Sequence, residues 1–138
     1  MRRALVTVSA AQLAVQVVAS AVAVRRRRHY DFVPLGMRGS PDTVARDSLL
    51  LGTSFSAPAT MLAAQAAATA VLRRRASPVA ASTLGFLGVA MIGGYLGERM
   101  VQRRLLRGEW DPVETPLAAA GLGGAVVMAV LGLGTQPD

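Results

Sequence analysis

Charge is expelled from most of this chain in long, uninterrupted blocks. No Asp, Glu, Lys, Arg or His lies within residues 4–24, 48–72, 79–97 or 115–134. Each block holds about 20 residues or more, and at ~1.5 Å per residue a helix of that length matches a hydrocarbon core of ~30 Å. A water-soluble helix bundle would instead alternate apolar stripes with charged faces. The mean hydropathy of +0.41 and the 52% hydrophobic content follow from the same blocks. The expected fold is all-α: one integral membrane bundle of four transmembrane helices filling residues 1–138, with spans at roughly 4–24, 48–72, 79–99 and 116–134. The longest loop, Arg25 to Asp47, has 23 residues, too few for an extramembrane domain.

The third block, VAASTLGFLGVAMIGGYLG, is expected to be the helix around which the others pack. Ala81, Gly85, Val89, Gly93 and Gly97 recur every four residues and form one ridge. Small residues let a second backbone approach closely, the usual basis of helix association in lipid. A second ridge, Ala120, Gly124, Met128 and Gly132, is its expected partner in the fourth helix. The third helix is expected to continue to Gly108 and to leave the bilayer as an amphipathic stripe carrying Arg99, Arg103 and Arg107, with Tyr95 and Trp110 bracketing the interface.

Local sequence punctuates the other boundaries. Ser40-Pro41, Ser77-Pro78 and Thr115-Pro116 each place a hydroxyl at an N-cap and a proline at the first helical position. Pro58 is expected to kink the second helix near Ser54, with Thr53, Ser54, Ser56 and Thr60 re-satisfying the freed carbonyl. Arg2-Arg3, an apolar run and Ala21-Val22-Ala23 imitate a cleaved leader. The run is long for one, however, and Arg25 to Arg28 follow at once as a stop, so residues 1–23 are read as a retained span.

The formal charge of +7 comes from fifteen Arg and no Lys. These arginines sit at the ends of apolar blocks, where they meet anionic lipid headgroups, and nucleic acid is not an expected partner. The loops after the first and third helices carry ten (Arg25, Arg26, Arg27, Arg28, Arg38, Arg46, Arg99, Arg103, Arg104, Arg107), against five on the other side (Arg2, Arg3, Arg73, Arg74, Arg75). By the positive-inside rule, loops 25–47 and 98–115 are expected in the cytoplasm and both termini outside the cell membrane.

The absence of Cys excludes disulfide and thiolate chemistry. The apolar cores lack every ionisable residue that a proton relay would need. Two clusters remain. Gln12 and Gln16, with Thr60 and Gln65, form a candidate intramembrane polar face, read either as glue between helices or as the lining of a lipophile site. His29, Asp31, Glu98 and Arg99 form a candidate interfacial charge cluster, in which Glu98 is expected to pair with Arg25 to Arg28 or Arg46, and Asp42 with Arg46. The carboxylates and His29 show no recognisable ligand spacing, so no metal, cofactor or catalytic set is expected. The function expected is non-enzymatic helix–helix association, with a second copy or a membrane partner. Binding of a lipophilic molecule within the bundle is the alternative, and an enzyme site at Glu98, His29 and Asp31 the least favoured. On the association reading, leucine at Gly93 and Gly97 should disrupt assembly.

Overall fold

The computed structural model describes residues 1–134, which form six α-helices and one two-residue β-hairpin. Three helices are long and apolar enough to cross a membrane: α1 (Arg2–Arg25), α4 (Pro78–Gly97) and α6 (Glu114–Gly134). Two short helices, α2 (Val44–Leu50) and α5 (Arg99–Leu105), and the hairpin of β1 (Asp31–Phe32) and β2 (Met37–Arg38) lie at one end. The sixth helix, α3 (Ala59–Arg74), has 16 residues.

The four longer helices form a ring. α4 packs most extensively on α6, α6 on α1, α1 on α3 and α3 on α4, while α1 and α4 meet only across the diagonal. The expectation of a central third helix is therefore corrected: each helix has two main neighbours, and long side chains bridge the space between α1 and α4. Polar side chains share the core with Leu5, Leu84 and Met128, and much of the outer surface is apolar. Ser9, Gln12, Gln16 and Gln65 are buried, whereas Val17, Val18, Val79, Phe86, Val127 and Val130 are exposed. Such a belt of exposed Val and Phe costs nothing in hydrocarbon, whereas unpaired amides there would be expensive.

Two of the expected helices are broken. The second is not kinked at Pro58 but interrupted from Leu51 to Pro58. Gly52, with φ +86, ends α2, and the restriction that Pro58 places on Ala57 prevents the helix from resuming sooner. Gly52 to Ser56 are all buried, so their backbone groups need partners inside the protein. Thr53 N–H donates to the Ser56 carbonyl, and Ser56 N–H donates to Thr53 Oγ1. Pro58 then serves as the N-cap of α3, its carbonyl accepting from Met61 and Leu62.

The third helix stops at Gly97 rather than running to Gly108, because Glu98 is extended (φ −83, ψ 122) and bridges Phe32. Gly97 has no Cβ, and the Phe32 ring occupies that space. Gln102 Nε2 donates to the Leu96 carbonyl at 2.8 Å, so a carbonyl released by the break stays paired.

The three hydroxyl–proline starts behave differently. Ser77 caps α4, accepting from Ala80 N–H at 3.2 Å, with Pro78 at the first turn. Ser40-Pro41 instead opens a turn, and α2 begins later at Val44. α6 starts ahead of Thr115-Pro116, because Asp111 Oδ1 already accepts from Val113 and Glu114 N–H. Thr115 Oγ1 accepts from Asp111 N–H in return.

Candidate functional site

The glycine ridges meet, though not in the expected register. Ala81, Gly85 and Gly88 of α4 face Ala125, Ala129 and Gly132 of α6, and a Cβ on Gly132 would overlap the Gly85 backbone. A Cβ on Gly88 would lie 2.7 Å from the Ala125 carbonyl oxygen. Gly124 faces Gln12 of α1 instead, Gly97 faces Phe32, and Gly93 has nothing within 4 Å. The four-residue spacing assumed a straight ridge, whereas the contact follows the 3.6-residue turn from Gly85 to Gly88.

Gln12, Gln16 and Gln65 come together, each no more than 2% exposed. Gln65 Nε2 donates to Gln12 Oε1 at 2.8 Å and to the Ser9 carbonyl at 3.0 Å, and Ser9 and Thr69 share a hydroxyl bond of 2.8 Å. Gln12 Nε2 reaches Met91 Sδ at 3.3 Å. Gln16 Nε2 donates to Tyr95 Oη at 2.7 Å, while its Oε1 accepts from Ala57 N–H at 2.8 Å. Tyr95 Oη passes the chain on to the Phe55 carbonyl at 3.1 Å. Gln16 and Tyr95 thus supply hydrogen bonds that the broken second helix no longer makes for itself, which puts Tyr95 in the core and not at the interface. Gln65 Oε1 has no donor among the described residues. Thr60 is exposed and stands outside the set, because the break before α3 turns it outward.

At the end capped by α2, α5 and the hairpin, the charge pairing also differs from expectation. Glu114, fully buried, collects Arg26 at 3.0 Å, Arg28 at 2.9 Å and Arg104 at 2.8 Å, joining α5, α6 and the chain that follows α1. Asp111 binds Arg26 at 3.1 Å. The N–H groups of Glu114 and Val113, with Arg26, pull the Asp111 carboxyl down to about 2. Glu98 forms no ion pair among the described residues and accepts from Asp31 N–H at 2.8 Å. Burial lifts its carboxyl to about 7, against the opposing pull of the Asp31 and Met100 N–H groups. Arg99 goes to Asp31 at 3.2 Å, and Asp42 pairs with Arg27 at 3.7 Å rather than with Arg46. Sequence reasoning passed over Glu114. Its place at a helix start, where a carboxylate is favoured, was the available sign, but the three arginines converge only through the fold.

Two hollows flank Glu98. One is an apolar cleft of about 220 Å³ between α3, α4 and the break, walled by Phe55, Met61, Met91 and Tyr95, with exposed Ala90 and Gly94 on its rim. A Cβ on Gly94 would meet nothing within 4 Å. The other is a basic recess of about 410 Å³ lined by five arginines, His29, Asp31 and Glu98. Ser54 and Glu98 belong to both walls. Ser54 is fixed by donating its hydroxyl to the His29 carbonyl. Of the expected charge cluster, His29, Asp31, Glu98 and Arg99 all line the recess. Among the described residues, no three His, Asp or Glu side chains converge as metal ligands.

These features define a helical protein with three membrane-length apolar helices. Compared with protein families, with characterised proteins and with solved structures, the chain matches none.

Proposed function

We propose that the chain is a four-pass membrane protein that holds one lipophilic chain in the cleft between α3 and α4, without covalent chemistry. The observation that carries this reading is the cleft itself: apolar walls, an open rim at Gly94, and a position facing the lipid belt. Its volume falls below the ~300–1,000 Å³ of drug-sized sites, which suits one hydrocarbon segment rather than a whole lipid. The fourth pass is α2, the break and α3 taken together. α3 alone, at ~1.5 Å per residue, is shorter than the hydrocarbon core. Its buried, internally bonded break satisfies the condition for non-helical backbone at membrane depth. The contribution of α1 to the polar seam favours its retention over cleavage. The ten-to-five arginine distribution supports a cytoplasmic capped end, in contact with anionic headgroups, and both termini outside.

Association with a second copy or a membrane partner through the glycine ridges is less well supported, because Gly85 and Gly132 are occupied by each other. The glutamines, too, are taken up within the bundle, Gln12 by Gln65 and Gln16 by Tyr95 and Ala57 N–H, so the lipophile site lies beside them and not among them.

Native mass spectrometry of the detergent-extracted chain tests the reading. The expected result is a monomer retaining one lipophilic molecule, and loss of that molecule in Gly94→Phe with thermal unfolding unchanged. A defined oligomer with no retained molecule, and no effect of Gly94→Phe, would return the argument to association.

A further inference from the structure

Resting on the cleft reading, we infer that the bound molecule is an anionic amphiphile, its chain in the apolar cleft and its phosphate-type headgroup in the adjoining basic recess. The two hollows lie on either side of Ser54 and Glu98, so an amphiphile seated in both would cross that shared wall. The recess is lined by five guanidinium groups and only two carboxyls, Asp31 and Glu98. Three of the five are engaged by other carboxylates, Arg27 by Asp42, Arg28 by Glu114 and Arg103 by Glu109. The remaining two, Arg38 and Arg99, lean on the single carboxylate of Asp31, at 3.9 Å and 3.2 Å. Two forked donors over one acceptor leave N–H groups for a phosphate, the anion whose geometry guanidinium matches best.

His29 adds no donor to the recess. Arg38 Nε donates to His29 Nε2 at 3.4 Å, so the ring proton belongs on Nδ1. That Nδ1 is buried and has no hydrogen-bond partner among the described residues. It is therefore closed off from the recess, and the arginines alone carry the anion reading. Asp31 is offset by Arg38 and Arg99, which leaves Glu98 as the unpaired carboxyl among the described residues that would oppose an anion there. Its carboxyl, held at about 7 by burial, carries less than a full charge near neutral pH.

The test offers the detergent-extracted full chain phosphatidic acid, diacylglycerol with the same acyl chains, or inorganic phosphate, and reads retention by native mass spectrometry. Phosphatidic acid should be held at one per chain and preferred to diacylglycerol by about ten-fold, roughly the worth of a charge-assisted pair. The double variant Arg38→Gln/Arg99→Gln should lower it to the diacylglycerol level, and Arg38→Lys/Arg99→Lys should restore most of the preference with the same thermal unfolding. Equal retention of diacylglycerol, or a preference that survives the glutamine pair, overturns the headgroup inference and leaves the cleft reading standing. Binding of inorganic phosphate at the recess with phosphatidic acid retention indifferent to Gly94→Phe overturns it in favour of a soluble anion. If neither lipid is retained, the cleft reading falls as well.

Discussion

The seam between α4 and α6 and the seam between α1 and α3 hold the same ring together by opposite means. The first is made of backbone and methyl groups: Ala81, Gly85 and Gly88 against Ala125, Ala129 and Gly132. Nothing polar is needed, and attraction comes from close packing over many small contacts. The second is made of Ser9, Gln12, Gln65 and Thr69, which bond across the interface. The difference follows the helices themselves. α4 and α6 are apolar enough to rest in lipid alone and need only shape to find each other. α3 is short and Ala-rich, and the chain before it is broken, so it has to be tied by directional bonds. A bilayer supplies no hydrophobic drive between helices, which makes these the two available solutions.

The comparison breaks hardest at the glycine seam. Gly132→Leu drives a side chain into the Gly85 backbone, which cannot move aside as a flexible side chain would. The expected cost is about 3 kcal/mol, the upper range for overpacking, read as loss of the folded band or a fall in unfolding temperature in detergent. Gly124→Leu should cost less, because the atom it meets first is Cγ of the Gln12 side chain.

Where α4 leaves that seam, Glu98 adds a pH dependence. Its folded carboxyl lies at about 7, above the ordinary glutamate value of 4.5, so the folded state binds the proton more tightly than the unfolded one. Stability is therefore full below about pH 4.5 and falls as pH rises through 7, with an upper bound of about 3 kcal/mol from ~1.36 kcal/mol per unit. Beside it stand Asp31 with its N–H, Met100 N–H and the bridging Phe32, and around the shared recess Arg27, Arg28, His29, Arg38, Arg99 and Arg103. Glu98→Gln should flatten unfolding temperature between pH 5 and pH 8; an unchanged slope would refute the assignment.

At the polar seam the effect is smaller. Gln65→Leu removes the bonds to Ser9 and Gln12 and costs about 1–2 kcal/mol, the range of interhelical hydrogen bonds in membranes. Part is returned, since Gln65 Oε1 already lacks a donor. Combined with Ser9→Ala, the loss should be less than additive in a double-mutant cycle, because both changes strike one network.

What was legible in the sequence tracks these two mechanisms. The charge-free blocks and Ser77-Pro78 depend on local composition and spacing, and three membrane-length helices and the α4 cap follow from them. The α1 face of Ser9, Gln12 and Gln16 was also visible, since helical periodicity alone puts those residues together. The breaks at Gly52–Pro58 and Glu98 were not, because each is stabilised from a distance. Gln16 satisfies Ala57, and Phe32 fills the space beside Gly97. Glu114 was missed for the same reason: its three arginines come from α5 and the chain following α1.

The weakest predicted effect separates the two seams most cleanly. Gly93 was expected on the ridge, yet a Cβ there meets nothing within 4 Å, and the residue is exposed on the side of α4 away from α6. If the α4–α6 contact is the one described, Gly93→Leu adds an apolar side chain to the lipid belt and removes a flexible glycine from a helix. The change should be within about 0.5 kcal/mol of neutral or slightly stabilising, since glycine costs up to ~1 kcal/mol against alanine in a helix interior. Unfolding of Gly93→Leu and Gly132→Leu side by side reads this directly. A large loss at Gly93 with little at Gly132 would mean that the ridge faces another molecule and that association, rather than the intramolecular seam, holds α4.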